Sequence, residues 1–268
     1  MKRKIAKKIF CIGSGKGGVG KSTVAVNLAV ALGLLDCKVG LLDADIYGPS
    51  IPIMTGLRQM SPRTTVDHEG HEIIIPFTKF GIHILSIGFF IEEARSILWR
   101  GPMLHGILEK MVMGTNWGEL DVLLIDLPPG TGDVPLSLSR ILEIDGAYVV
   151  STPQEVAMLD AIKSINCFHQ LHIPTQGIIE NMAGFTDPKS GENHALFGRG
   201  KAQELANKFN IPLIGSIPLF PAICQGGDAG YPAAYHSGDE QVGYYFREIG
   251  LTIYGESINA FATRPSFA

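Results

Sequence analysis

Short, unbroken apolar runs alternate along this chain with longer stretches whose apolar residues recur every three or four positions. The runs are Ile9-Phe10-Cys11-Ile12, Lys38-Val39-Gly40-Leu41-Leu42, Asp121-Val122-Leu123-Leu124-Ile125-Asp126, Gly146 to Ser151, Gln176 to Asn181 and Pro212 to Ile217. A strand that is apolar on both faces is covered on both faces, as in a parallel sheet between helix layers. Helical spacing is read over Val24–Leu32, Glu155–Leu171, Arg199–Phe209 and Gln241–Phe261. It is also read over Glu92–Met113, broken at Arg100-Gly101-Pro102, where Leu104, Ile107, Leu108 and Met111 share a stripe. That spacing makes Met111 and Met113 core or interface packing residues and not a ligand box. Glu72 to Pro76 and Ile82 to Gly88 read as strands, the first as an edge hairpin ended by Pro76. Leu57 to His71, rich in Pro, Gly, Thr and charge, reads as loop. The β–α alternation predicts an α/β fold, a mostly parallel doubly wound sheet flanked by helices. With no linker or internal repeat, the expectation is one domain over 1–268, with a basic arm at 1–8 and a helical tail at 239–268.

Between the first strand and the first helix lies Gly13-Ser14-Gly15-Lys16-Gly17-Gly18-Val19-Gly20-Lys21-Ser22-Thr23. A G-x-x-x-x-G-K-[ST] loop in that context cradles phosphates, because glycines let backbone N–H groups close on an anion at a helix N-terminus. Gly15, Lys16, Gly17, Gly18, Val19, Gly20, Lys21, Ser22 and Thr23 are therefore expected to hold ATP. Lys21 is expected at the β- and γ-phosphates and the Ser22 hydroxyl on Mg²⁺. Lys16 is not demanded by a single phosphate cradle. This second lysine resembles the deviant Walker A loop of septum-site ATPases, chromosome-partition ATPases and the nitrogenase iron protein. The resemblance implies a P-loop NTPase of that type, in which Lys16 crosses a dimer interface to the partner's nucleotide.

Two further strand ends carry candidate chemistry. Asp43-Ala44-Asp45 ends the second strand, on the side where open α/β sheets bind ligands. Asp45 is the candidate to orient or deprotonate the attacking water and to approach the metal, with Asp43 supporting Mg²⁺ or the loop. Ile46 to Pro52 reads as a switch segment that includes Gly48 and Pro49. Asp126 ends an apolar strand in the Walker B manner and would hold Mg²⁺ through a bound water. Leu127 to Asp133 follows as a second switch, with Pro128 stiffening it and Gly130 able to turn an N–H toward the γ-phosphate. Asn181 can meet both edges of adenine, or simply form a turn. Pro218, after the last strand, joins it as a nucleotide contact.

Composition narrows the setting. Hydrophobic residues make up 46% of the chain and charged residues 18%, enough for a full core. The net charge of −4 carries no nucleic-acid signature, and the basic stretch Met1 to Lys8 reads as a solvated arm. No apolar window is long enough for a membrane span, so a cytoplasmic protein with no nucleic-acid or membrane partner is expected. Four cysteines, Cys11, Cys37, Cys167 and Cys224, stand apart with no C-x-x-C pair, unlike a disulfide framework or a zinc site.

Several stretches together resemble the Mrp/NBP/ApbC iron–sulfur cluster carrier ATPases. They are Gly15 to Thr23, Asp43-Ala44-Asp45-Ile46-Tyr47-Gly48-Pro49-Ser50-Ile51-Pro52, Asp126-Leu127-Pro128-Pro129-Gly130-Thr131-Gly132-Asp133, Ile179-Glu180-Asn181-Met182, Phe197-Gly198, Ile217-Pro218-Leu219 and Gly226-Gly227-Asp228-Ala229-Gly230. The resemblance implies a homodimer that hydrolyses ATP, slowly and as a dimer, and serves cluster assembly or delivery to apo iron–sulfur client proteins. It also implies a shared [4Fe–4S] cluster on a C-P-x-C pair after Asn-Met. Here that loop reads Phe185-Thr186-Asp187-Pro188-Lys189-Ser190, with Asp187 and Ser190 where thiolates belong. A carboxylate and an alcohol hold such clusters poorly, so no cluster is expected there, and Cys224 is the one weak substitute. The alternatives are an ATP-switched scaffold with no cluster of its own, or a spatial regulator of the septum-site or partition type.

Overall fold

The computed structural model of the chain describes residues 2–90, 101–187, 189–235 and 240–262. In chain order the elements are β1 (Lys8–Gly13), α1 (Lys21–Gly33), β2 (Val39–Asp43), α2 (Ile51–Met54), β3 (Arg63–Val66), β4 (Glu72–Ile75), β5 (Phe77–Lys79), β6 (Ile82–Ser86), α3 (Gly101–Met113) and β7 (Val122–Asp126). They continue with α4 (Asp133–Ile141), β8 (Gly146–Ser151), α5 (Glu155–Gln170), β9 (Thr175–Asn181), β10 (Phe185–Thr186), β11 (Asn193–His194), α6 (Lys201–Phe209), β12 (Leu213–Ile217), α7 (Pro221–Asp228) and α8 (Glu240–Ala262).

An eight-stranded sheet has the order β12-β9-β8-β1-β7-β2-β6-β5, parallel throughout except for the edge strand β5. The expected α/β architecture is therefore the observed one. The apolar runs became its middle: Ile9, Cys11 and Ile12 of β1, and Leu123, Leu124 and Ile125 of β7, have no exposed surface. Burying each such large side chain contributes roughly 1.5–3 kcal/mol. The same burial pushes the Cys11 thiol up to about 12, so it behaves as a small hydrophobe. Helix α1 is buried on nearly every side from Val24 to Leu32, because it lies between the sheet and α8. Strand β1 sits between β7 and β8, where the winding of the chain reverses, and the loop after it opens at that crevice.

Some local readings need correction. The stretch from Leu57 to His71 is not all loop: Arg63–Val66 pairs antiparallel with Glu72–Ile75 in a separate two-stranded sheet. Every residue of β3 is exposed, so no burial pattern marked it as a strand. Pro76 ends β4, but the edge of the main sheet is β5 beyond it. The predicted break at Gly101-Pro102 is the start of α3 as described; residues 92–100 lie outside the described residues. Of the two methionines read as core or interface packing, Met111 is in the core and Met113, 36% exposed, is outside it.

Candidate functional site

The phosphate loop owes its shape to two left-handed glycines and two close approaches. Gly18 and Gly20 both have φ of 80°, a region that costs a side chain strain. A Cβ on Gly20 would run into the Asn181 amide, and one on Gly15 would overlap the backbone carbonyl of Asp160 in α5. Asn181 donates from Nδ2 to the Val19 carbonyl at 2.9 Å, so β9 braces the loop from the side. The loop then passes into α1, whose N-terminus has no side-chain cap of its own. Its unpaired N–H groups face the crevice as an anion site.

Lys21 is buried, and its Nζ lies 2.7 Å from Asp126 Oδ1, 3.5 Å from Asp45 Oδ2 and 3.1 Å from Ser22 Oγ. The ends of β1, β2 and β7 thus bring Lys21, Ser22, Asp45 and Asp126 together. Asp43 stands beside Asp126 in register but turns to the loop that follows it. It accepts from the Asp45 N–H at 3.1 Å, the Ile51 N–H at 3.4 Å and the Ser86 hydroxyl at 2.7 Å. Burial, reinforced by the Asp126 charge, pushes Asp43 up to about 8. Burial also raises Asp126, against the opposing pull of Lys21. Asp45 accepts from the N–H groups of Tyr47 and Gly48, both at 3.2 Å, which fixes the start of the first switch segment. In the second, the Gly130 N–H is committed to the Ser14 carbonyl at 2.8 Å, and Pro128 is buried.

Asp45 and Asp126 share the one Lys21 ammonium, and Asp126 Oδ2 is buried with no hydrogen-bond partner. That orphaned oxygen fits an incoming cation. Among the described residues no group of three or more His, Cys, Asp or Glu forms a metal cage. Magnesium needs none, because beside a nucleotide it takes most of its ligands from phosphate and water.

Next to Gly20 and Thr23 opens a largely apolar cavity of about 500 Å³, walled by Asn181, Met182, Pro218, Phe220 and Cys224. Its position beyond the phosphate loop and its apolar walls suit a nucleobase. A larger cleft of about 830 Å³ lies between α3 and α4, lined by Arg3, His105 and Arg140 among others. None of the phosphate-loop residues lines it, whereas Gly20 and Thr23 line the smaller cavity.

Lys16 lies apart from this cluster, its Nζ donating to Gln154 Oε1 at 3.1 Å. Asp187 and Ser190 are elsewhere too, in the turn between β10 and β11. Asp187 Oδ1 accepts from the N–H groups of Lys189 at 2.7 Å and Ser190 at 3.1 Å, and Ser190 Oγ accepts from the Glu192 N–H at 3.2 Å. Those donors hold the Asp187 carboxyl below the usual carboxylate range. Cys224, on α7, lies 3.7 Å from an Asp228 carboxylate oxygen and shares no cluster with another cysteine.

Three residues at or beside the site went unread in the sequence. Ser86 anchors Asp43; it ends an apolar strand, the same signal that marked Asp126. Asn27 donates to the Thr23 carbonyl at 2.8 Å and accepts from the Ala234 N–H at 2.8 Å, tying the loop's helix to the segment before α8. Gln154 carried no signal, because only folding brings it to Lys16.

Comparison with known proteins places this geometry. A family model described as an NUBPL iron-transfer P-loop NTPase matches residues 5–254. An iron–sulfur cluster carrier protein of Aquifex aeolicus is 49% identical over 92% of this chain, which spans 67% of that protein. A mitochondrial iron–sulfur protein required for NADH dehydrogenase, from Arabidopsis thaliana, is 42% identical over 92% of this chain and 78% of its own length. Among solved structures, the ADP complex of a nucleotide-binding protein from Archaeoglobus fulgidus superposes with a TM-score of 0.72 at 40% identity, over 84% of this chain and 87% of that one. The cell division ATPase MinD of Pyrococcus furiosus, at 22% identity and a TM-score of 0.66 over 95% of this chain and 99% of its own, shares the fold.

Proposed function

We propose, since the chain belongs to the NUBPL iron-transfer P-loop NTPase family, that it is an ATP-hydrolysing homodimer acting in iron–sulfur cluster assembly or transfer to apo client proteins. The observation that carries the reading is the buried meeting of Lys21, Asp45 and Asp126 under a phosphate loop that opens beside a base-sized cavity. Lys21 and the loop N–H groups bind the phosphates, and Lys21 exchanges its Asp126 contact for them. Asp45 orients the attacking water and takes its proton. Asn181 and Pro218 border the base, with Asn181 also keeping Val19 in place. Ser22 and Asp126 would hold magnesium, which supplies charge neutralisation on the phosphates when bound, while Asp43 keeps the first switch segment positioned. Lys16, delivered from the second protomer, adds a cation where charge develops.

The cluster is cargo in this reading, and residues 187–190 do not hold it. The Asp187 and Ser190 oxygens are hard, and Asp187 Oδ1 and Ser190 Oγ already accept from the turn's own N–H groups. That observation favours a second reading, an ATP-switched scaffold that positions partners without a cluster of its own. Turnover of ATP with magnesium, measured over a range of protein concentrations, tests the dimer. Anaerobic reconstitution with iron and sulfide, followed by transfer to an apo-ferredoxin, separates the two readings. Catalysed, ATP-dependent transfer supports the carrier; ATP turnover with no effect on transfer supports the scaffold. Turnover per protomer that stays constant on dilution, in a strictly monomeric sample, overturns the shared site.

A further inference from the structure

We propose that Gln154 is a positioning residue that latches Lys16 on its own protomer and so sets how readily the dimer forms its composite site. The inference rests on the dimeric reading above. Gln154 occupies the N-cap position of α5, with extended backbone angles (φ −66°, ψ 136°), yet its side chain caps nothing. An N-cap side chain ordinarily satisfies the first free N–H groups of its helix. Here the amide oxygen is turned away from α5 and takes the Lys16 ammonium at 3.1 Å.

The two partners are held in register by more than this bond. The phosphate loop packs so closely on α5 that Gly15 has no room for a Cβ against the Asp160 carbonyl. The Ser14 hydroxyl donates to the Lys16 carbonyl at 3.1 Å, which fixes the backbone from which the lysine projects. The first turns of α5 also expose Val156 (64%) and Leu159 (58%), apolar side chains beside the latch that a second copy of this chain would cover. Lys16 therefore begins on the face that would become the interface, held by a neutral acceptor. The choice of acceptor matters. A carboxylate there would make a charge-assisted bond about twice as strong and hold the lysine at home. With no acceptor, the lysine would be loose and would lose side-chain entropy only on crossing. An amide lies between these extremes, weak enough to release Lys16 when a partner's phosphates compete for it.

The experiment compares wild type, Gln154→Ala and Gln154→Glu, each also in a Lys16→Ala background. In the nucleotide-free protein, acetylation of Lys16 by N-hydroxysuccinimidyl acetate is followed by peptide mass spectrometry. The expected order of rates is Ala over Gln over Glu, because the amine must leave residue 154 to react. In ATP turnover, the protein concentration giving half-maximal rate should fall by about threefold in Gln154→Ala and rise by about threefold to tenfold in Gln154→Glu. Both shifts should vanish in the Lys16→Ala background. A helix-capping role alone would leave the Lys16 acetylation rate unchanged, and any shift in turnover it caused would persist in the Lys16→Ala background. Equal acetylation rates in the three proteins would overturn the latch. Ordered acetylation with unshifted concentration dependence would overturn its control of assembly while leaving the dimer standing. Ordered acetylation with wild-type turnover independent of protein concentration would overturn the dimeric reading itself, and the proposed control with it.

Discussion

The phosphate loop and the β10–β11 hairpin both leave the carboxyl end of the same parallel sheet, yet they are held in opposite ways. The loop after β1 is fixed by groups from other strands: Asp126 from β7, Asp45 from β2, Asn181 from β9. All of these are buried, so each partner depends on the others. The hairpin after β9 is held by its own residues. Asp187 binds Lys189 and Ser190, Ser190 binds Glu192, and Arg199 donates to the carbonyl and side chain of Asn193. A site assembled from distant buried groups tolerates little change, because losing one member strands a charge in the interior. A turn closed by local hydrogen bonds in solvent can change its side chains and keep its shape. That difference explains how the residues at 187 and 190 can vary while the buried meeting of Lys21, Asp45 and Asp126 keeps its shape.

The comparison breaks first at Lys21. Lys21→Ala removes the only ammonium touching Asp126 and Asp45 among the described contacts, and turnover of MgATP should fall by about a thousandfold or more. Wild-type affinity and rate in that variant would dissolve the site. Asp45→Asn keeps the shape and both backbone acceptor contacts but removes the carboxylate proposed as the base. ATP binding measured by calorimetry should persist, while turnover drops by about a hundredfold to ten-thousandfold. If binding and turnover fell together, Asp45 would be a ligand contact and not a base. Lys16→Ala sharpens the contrast within the loop itself. It should leave nucleotide affinity nearly intact and lower the maximal rate by roughly tenfold to a hundredfold if, as proposed, it acts at the transition state across the dimer interface. A loss confined to affinity would put Lys16 on its own protomer's phosphates.

The same contrast governs what could be read before folding. The phosphate loop was legible because its glycines and lysines are contiguous, and Asp126 because four apolar residues in a row, Val122 to Ile125, announce a buried strand. Ser86 and Gln154 were not, since each matters only through a partner far away in the chain, Asp43 and Lys16. Strand β3 was hidden by full exposure: Arg63-Thr64-Thr65-Val66 shows no alternation because neither face is covered. Helices α4 and α7 are short, and Pro135 in one and Gly226-Gly227 in the other mask a periodicity that needs length to show. The strand-end position of Asn181 suggests a base contact or a turn, but not its bond to the Val19 carbonyl, which only folding makes. The departure at Asp187 and Ser190 was plain in the letters, but not that both side chains would be engaged in closing the turn.

The smallest effect on turnover should come from the hairpin. Asp187→Ala removes two hydrogen bonds in solvent and touches nothing in the nucleotide site, so ATP turnover should stay within about twofold of wild type. A larger loss would mean that the hairpin and the phosphate loop are coupled through Asn181 more tightly than their separate bonding suggests. The hairpin should respond to chemistry instead. With Asp187→Cys and Ser190→Cys together, the turn would present two soft thiolates per protomer, and two protomers would supply the four that a cubane needs. Anaerobic reconstitution of that double variant should then incorporate about four irons per dimer with visible charge-transfer absorption, where wild type retains little. Stable incorporation by the wild type would contradict this, and Cys224→Ser decides how. If the iron survives that substitution, oxygen ligands in the turn hold it against expectation; if it is lost, ligation has moved to α7 at the wall of the base-sized cavity.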